Sequence, residues 1–354
     1  MADFGLVVNG KQYSGWKAFS IERSIETMCA GFSFDFKEGL EGAWPVVDGD
    51  ECTIVYGDRP VITGYAETAG LSMTGDSTIS GRDRVADVVD SSPRLTRWSW
   101  KAATPDSIAR ALCEPFGVTV TVQPGLSLSP VARFSVDPGD TGGAALQKLC
   151  SAAGVLAVPN ETGGLILTRA GSSTCVTALI EGENLRDGSS SRDQKERFGE
   201  YRVLAQQKAG DQTNGKSASV KGVAIDGNVR PQRMLVLRPD GNLSAAEAKA
   251  RAEWEASVRA ARALTATGLL VQGWTQGNGA LWPLNALVTI KSPRLRLDGQ
   301  FLITKVVYAR SKSDGTTTVI DVGSPSAFVP EPKQKPAVGA RTGWPELDTV
   351  KAHR

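Results

Sequence analysis

The sequence predicts an α+β chain that is mainly β, with two β-barrel regions flanking a smaller α/β insert. Three observations carry this. Short apolar runs punctuated by Asn-Gly, Gly-Asp and Asp-Gly turns fill the first ninety or so of the 354 residues. From about Trp98 helix caps and strands alternate, and after Cys175 the strand texture returns around one long helical stretch. At 41% hydrophobic and 22% charged residues, the chain can bury more than one core.

Residues 6–8 and 11–13 flank Asn9-Gly10, a pair that tolerates the positive φ angles of a type I′ turn, so they predict a hairpin. Further strands are predicted at 32–36, 52–56, 61–66 and 78–80, with Asp48-Gly49-Asp50 and Gly57-Asp58 as turns and a short helical turn over 82–89. Together they make a first barrel domain, 1–95.

In the insert, 96–174, Thr104 stands as an N-cap and Pro105 suits the first helical position, where its missing N–H costs nothing. Ile108, Ala111 and Leu112 give that helix an apolar stripe before Gly117, and a strand follows at 118–122. Residues 141–153 repeat the plan, with Ala145, Leu146, Leu149 and Cys150 on one side and Gly154 as the stop. A hairpin is predicted at 155–158 and 165–168 around 160–164.

The second barrel domain, 175–325, has predicted strands at 176–180, 197–205, 221–224 and 233–237. A long helix over 244–267 starts at Ser244, whose hydroxyl and Glu247 form a capping box, with Ala248, Ala252, Trp254, Val258 and Ala261 on its apolar side and Gly268 ending it. Strands at 269–272 and 286–291 precede a long hairpin over 301–322 that turns at Asp314-Gly315. Residues 326–354, with Pro330, Pro332 and Pro336, carry no packing pattern and are expected to form an extended tail.

Composition excludes several function classes. The formal net charge is only +2, but the first hundred residues hold 9 Lys and Arg against 15 Asp and Glu, and the remainder 31 against 23. That describes a polarised molecule and not a nucleic-acid binder, which would gather its cations on one basic face. The single histidine, His353, is the penultimate residue, so a Ser-His-Asp or Cys-His site or a histidine general base lacks an imidazole held in a cleft. The five cysteines, Cys29, Cys52, Cys113, Cys150 and Cys175, are odd in number and never form a C-x-x-C pair, which argues against a disulfide framework and against a zinc site. The opening residues lack a basic region and a long apolar run, so no secretory signal is expected, and no stretch approaches the ~20 apolar residues that cross a bilayer.

Three motifs carry a possible chemistry. The run from Gly210 to Ser217 satisfies G-x-x-x-x-G-K-[ST], but strand and turn residues follow it where a P-loop needs a helix N-terminus aimed at the phosphates, so a hairpin loop is expected. Asp48-Gly49-Asp50-Glu51 lacks the spacing of a calcium loop and is expected to be a solvated turn. Glu181 and Glu183 share a strand face but show no sugar cleft around them. No catalytic, cofactor or metal residue is assigned. Trp274, Trp282 and Asn285, in the loop-like stretch 273–285, have two compatible readings: plugs at the end of a barrel, and anchors of an assembly interface.

The landmarks Gly15-Trp16, Phe19-Ser20-Ile21-Glu22-Arg23, Thr63-Gly64-Tyr65, Gly81-Arg82-Asp83, Gly182-Glu183-Asn184-Leu185, Gly273-Trp274-Thr275-Gln276, Trp282-Pro283-Leu284-Asn285 and Ser313-Asp314-Gly315-Thr316 occur in one order from residue 15 to 318. In this the chain resembles the Mu-like phage baseplate hub proteins of contractile tails. The resemblance implies a homotrimer whose subunits each contribute two barrels related to the tail-tube fold, so that three subunits present a pseudo-sixfold ring. It implies as partners the hexameric tail tube, the trimeric central spike, baseplate wedge proteins and the tape measure protein, with DNA only passing through the channel and no membrane insertion. It also implies a virion protein made in the host cytoplasm, structural and without catalysis, that starts tube assembly. A hub carrying its own peptidoglycan hydrolase and the hub of a tailocin or contractile injection system are the alternatives. The acidic N-terminal barrel is expected to supply much of the channel wall.

Overall fold

The structure, a computed structural model, describes residues 2–37, 46–73, 75–206, 219–239 and 243–332. In chain order it contains β1 (Phe4–Val8), β2 (Lys11–Tyr13), β3 (Ala18–Ser24), β4 (Ala30–Lys37), β5 (Glu51–Tyr56), β6 (Arg59–Gly70), β7 (Asp76–Asp83), α1 (Val85–Asp90), β8 (Ser99–Ala103), α2 (Pro105–Cys113), β9 (Val120–Val122), β10 (Val131–Ser135) and α3 (Gly142–Ala153). There follow β11 (Leu156–Pro159), β12 (Leu165–Thr168), β13 (Ser173–Thr174), β14 (Leu179–Ile180), β15 (Leu185–Arg192), β16 (Glu200–Gln206), β17 (Ser219–Ile225), β18 (Met234–Leu237), α4 (Ala245–Arg262), β19 (Leu264–Gln272), β20 (Ala286–Ser292), β21 (Leu297–Ser311) and β22 (Gly315–Gly323).

The two β-rich regions are not separate barrels. Fourteen strands form one sheet in the order β15-β19-β22-β21-β3-β4-β7-β6-β5-β1-β2, with β13 and β14 carried on β20 and β20 on β21. The long strand β21 pairs β20 over its first part, Leu297 opposite Ser292, and β3 over its second, Tyr308 opposite Ile21. That second pairing joins the N-terminal and C-terminal halves. No barrel closes among the described residues, and β2 and β15 remain at the ends of the sheet. The expectation of two barrels fails because turn residues locate strands but carry no information about partners at long range. Strand β3 itself lay outside the predicted strands, although Phe19 and Ile21 alternate inward along it. Both halves fill one core: Phe4, Leu6, Phe34 and Ile54 from the first meet Leu269, Val288, Ile303, Tyr308 and Ile320 from the second. Full burial of such side chains stabilises by about 1.5–3 kcal/mol each.

A second core belongs to α1–α3 and the small sheet β11-β12-β9, where Ile108, Leu112, Leu146, Leu149, Leu165 and Leu167 pack together. Thr141 caps α3 by accepting from the Ala144 N–H at 3.2 Å, and Gly154 closes the helix at φ 67°. Thr104 occupies the N-cap of α2, but its side chain makes no cap bond there. Where β7 hands over to α1, the Asp83 carboxyl, 1% exposed, accepts the N–H groups of Ala30 at 2.8 Å and Val85 at 3.1 Å.

The third core lies between α4 and the three-stranded sheet β17-β16-β18, built on Tyr201, Val203, Val220, Leu243, Ala248 and Ala252. The capping box is present: Ser244 Oγ accepts from Glu247 N, and Glu247 Oε2 accepts from Ser244 N at 2.8 Å. Gly222 lets the helix approach, since a Cβ there would lie 2.2 Å from the Ala248 carbonyl carbon. The helix ends at Arg262 and not at 267, because 264–272 is drawn into the large sheet between β15 and β22. Gly268, at φ +67°, is a residue of strand β19, where the pairing with β22 slips between Ala266 and Leu269.

Of the strand expected at 176–180 only Leu179–Ile180, β14, forms, and Val176, 66% exposed, lies between it and β13. After β22 the chain turns through 325–328. The Trp254 Nε1–H then donates to the Val329 carbonyl at 2.9 Å, Glu331 pairs with Arg251, and Pro330 lies against Gly154, where a Cβ would come within 2.0 Å of it. Residues 333–354 of the expected tail fall outside the described residues.

Candidate functional site

The three residues singled out in 273–285 come together, but inside the chain. Trp274 is 5% exposed, Trp282 1% and Asn285 2%. Trp274 donates its indole N–H to the Ala309 carbonyl at 2.9 Å and packs edge-on against Phe4, with ring centroids 4.9 Å apart, and against Phe19 at 5.4 Å. The Arg310 guanidinium lies 4.8 Å from the Trp274 ring and pairs with Asp3 at 2.7 Å, closing the aromatic cluster from outside. Trp282 accepts the Tyr308 hydroxyl on its carbonyl, and burial pushes the Tyr308 phenol well above its ordinary range. These two tryptophans therefore plug the end of the large sheet's core.

Asn285 adopts φ 58°, a left-handed conformation that asparagine tolerates better than most residues. Its Nδ2 donates to the Arg169 carbonyl at 2.9 Å and its Oδ1 accepts from Gly171 N at 3.3 Å, so it ties the exit of the α/β unit to the sheet. The exposed part of the stretch is the tip, Gly277 to Ala280. Gln276 Oε1 accepts from Val176 N at 2.9 Å, and Gly277 N donates to Thr177 Oγ1 at 2.8 Å. The tip and the exposed Val176 thus share one surface. Val176 has no signal in the sequence beyond its place in an apolar run, since only the fold shows that the strand breaks there.

Local contacts account for two of the remaining motifs. The Asp48-Gly49-Asp50 corner is a turn in which Asp50 Oδ2 accepts from Val47 N at 3.0 Å and Gly49 takes φ 92°. Among the described residues no three His, Cys, Asp or Glu side chains gather as metal ligands. Glu181 accepts from Ser292 Oγ at 2.7 Å and from Arg294 N at 3.0 Å, which holds its carboxyl below the usual range. A glycosidase acid must keep its proton near neutrality, and Glu181 is held in the opposite sense. The P-loop-like run at 210–217 lies outside the described residues. Burial pushes the Cys52, Cys113 and Cys150 thiols up to about 12, far from a reactive thiolate.

Three stretches of the chain match families of known proteins: Mu phage baseplate assembly protein GpP-like, N-terminal, over 3–83; baseplate hub protein gp44-like, second domain, over 85–169; and Mu phage baseplate assembly protein GpP, fourth domain, over 244–331. The baseplate hub protein gp44 of Escherichia phage Mu is 33% identical over 339 residues, which span 92% of this chain and 88% of that protein. The chain belongs to the Mu-like phage baseplate hub family. Among solved structures, the 43 kDa tail protein of prophage MuSo2 from Shewanella oneidensis superposes with a TM-score of 0.79 at 28% identity, covering 92% of this chain and 99% of that one. A tail protein from Neisseria meningitidis shares the fold, with a TM-score of 0.77 at 21% identity over 93% of this chain and 98% of its own.

The chain is thus a phage baseplate hub protein, a structural component of the tail, and its family is one of structural proteins and not of enzymes. For a baseplate hub the functional sites are assembly surfaces. No helix among the described residues is long and apolar enough to cross a membrane.

Proposed function

We propose that this hub is a trimeric adaptor that joins the hexameric tail tube to the trimeric central spike and starts tube assembly. The observation that carries this is the β3–β21 pairing, which joins two β-rich halves of one chain in a single sheet. Three such chains offer six similar faces to a hexameric ring above and three to a spike below. The wedge proteins attach outside and the tape measure protein contacts the channel, through which DNA only passes. The N-terminal half, with its excess of carboxylates, supplies much of the channel wall, where repulsion keeps phosphates from sticking. A strongly basic lumen in the assembled trimer would overturn that last point.

Trp274, Trp282 and Asn285 enter this proposal as the buried frame of 273–285, with the tip Gly277 to Ala280 and Val176 as the assembly surface they hold out. The division into 1–95, 96–174, 175–325 and 326–354 is kept as the working set of domains, although the second family match, 85–169, starts before its boundary at 95 and the third, 244–331, runs past 325. The protein is made in the host cytoplasm, inserts in no membrane and catalyses nothing, so a peptidoglycan suspension should keep its turbidity in its presence. The test of the adaptor is mass by light scattering, alone and after mixing with the candidate spike. A trimer that takes up one spike trimer supports the proposal, and a monomer indifferent to the spike refutes it.

A further inference from the structure

The layer of α4 and β17-β16-β18 leaves one edge and one face of its sheet open among the described residues. Tyr201, Val203 and Val220 pack on α4, which lies over β16 and β17, while β18 stands at the margin. The opposite face is set out by the pairing register: Ile225, Glu200 and Met234 lie in one row, and Val223, Arg202 and Val236 in the next. Ile225 is 69% exposed, Met234 45% and Val236 42%. Strand β18 reads Met234-Leu235-Val236-Leu237, the composition of a strand buried on both faces. It pairs with β16 alone and holds no Lys, Pro or Gly of the kind that blunts a sheet edge. Arg202 is engaged by Glu200, and Lys221 and Arg238 are exposed at the borders.

We propose that β18 receives an extended apolar segment of the trimeric central spike, which adds to the sheet as a new edge strand. The proposal rests on the adaptor reading and names a surface that serves it. The open edge offers unpaired N–H and C=O groups to another extended chain, so main-chain hydrogen bonds hold the segment. Side chains of the added strand alternate between two faces, and β18 provides an apolar neighbour on each: Leu235 and Leu237 towards the core under α4, Met234 and Val236 away from it. Acidic residues flanking the segment meet Lys221 and Arg238. The number of such edges selects the spike among the partners. Strands β16–β18 and α4 form an excursion between β15 and β19, which pair with each other, and among the described residues the N-terminal half carries no second layer of this kind. A sixfold partner needs two like sites on each chain of a trimer, whereas a threefold spike needs one.

Hydrogen exchange and binding titrations of the full-length hub with the candidate spike protein test the proposal. Saturating spike should slow exchange of the 234–237 amides that face away from β16 by about tenfold or more, a measurement on the wild type that needs no substitution. The double variant Met234→Lys, Val236→Lys puts charge along the edge and should weaken spike binding about tenfold while the hub keeps its own mass and Tm. Ile225→Lys, on the same face but on the far strand β17, should bind as the wild type does. Unchanged exchange of 234–237 in a complex that does form, or an equal loss of affinity in Ile225→Lys, would overturn the strand addition and leave the adaptor reading standing. A wild-type hub that takes up no spike would overturn both. Protection of 234–237 that rises with hub concentration alone would assign the edge to a second copy and overturn the proposal as well.

Discussion

Asp83 makes the stability of the hub depend on pH in a direction opposite to that of most carboxylates. Its burial disfavours the charged form and outweighs the N–H groups of Ala30, Val85 and Ala86 that favour it, so its pKa is pushed up from 3.8 to about 7. In the unfolded chain the group ionises near 3.8, while in the fold it holds its proton until near 7. Between these values the folded state binds more protons, so stability falls as pH rises from 4 to 7 and is level on either side. A shift of roughly three units at about 1.4 kcal/mol each bounds the loss at roughly 4 kcal/mol. Asp83→Asn removes the titration, at a cost of about 1–2 kcal/mol for turning an amide NH₂ towards one of the backbone donors. Urea midpoints measured from about pH 5 to about pH 8 should slope downward for the wild type and lose that part of the slope in the variant. Parallel curves for the two proteins would refute the assignment.

Gly222→Ala should destabilise the α4 layer by about 2–3 kcal/mol, because the new Cβ meets helix backbone that cannot step aside, whereas Gly227→Ala, with nothing within 4 Å, should be near neutral; thermal melts of both decide. Removing the cap with Ser244→Ala should cost about 1 kcal/mol and speed exchange of the first turn of α4 without touching its last turn. A thiol reagent near neutral pH should leave Cys52, Cys113 and Cys150 unlabelled until the protein unfolds, and their rapid labelling in the native state would contradict the burial that raises them to about 12. Trp254→Phe should lose the bond to the Val329 carbonyl, worth about 1 kcal/mol, and make 329–332 more open to proteolysis.

Local chemistry was legible where the signal is short in range. Asn9-Gly10 takes φ 51° and 74° as the hairpin required, Thr141 and Ser244 cap their helices, and Gly154 ends α3. What the sequence hid is long-range pairing. Nothing in residues 18–24 announces that their partner is 305–310, and the polar run Ser189-Ser190-Ser191 gives no sign of being a strand until it is seen against β19. The same limit applies to the site. Trp274 and Trp282 are aromatic residues in a Gly-rich stretch, which fits an interface anchor as well as a plug, and only the contacts with Phe4, Ala309 and Tyr308 decide that they face inward. The whole-length resemblance named the family because it sums many weak landmarks, each uninformative about pairing.

The seam between β3 and β21 also sets a timetable for synthesis. Ile21 leaves the ribosome well before its partner Tyr308, so the central sheet can only be completed once β21 has emerged. Until then β3 presents an open edge beside β4, and the nascent N-terminal half cannot offer its finished shape to any partner. A product truncated before β21 would keep that open edge permanently.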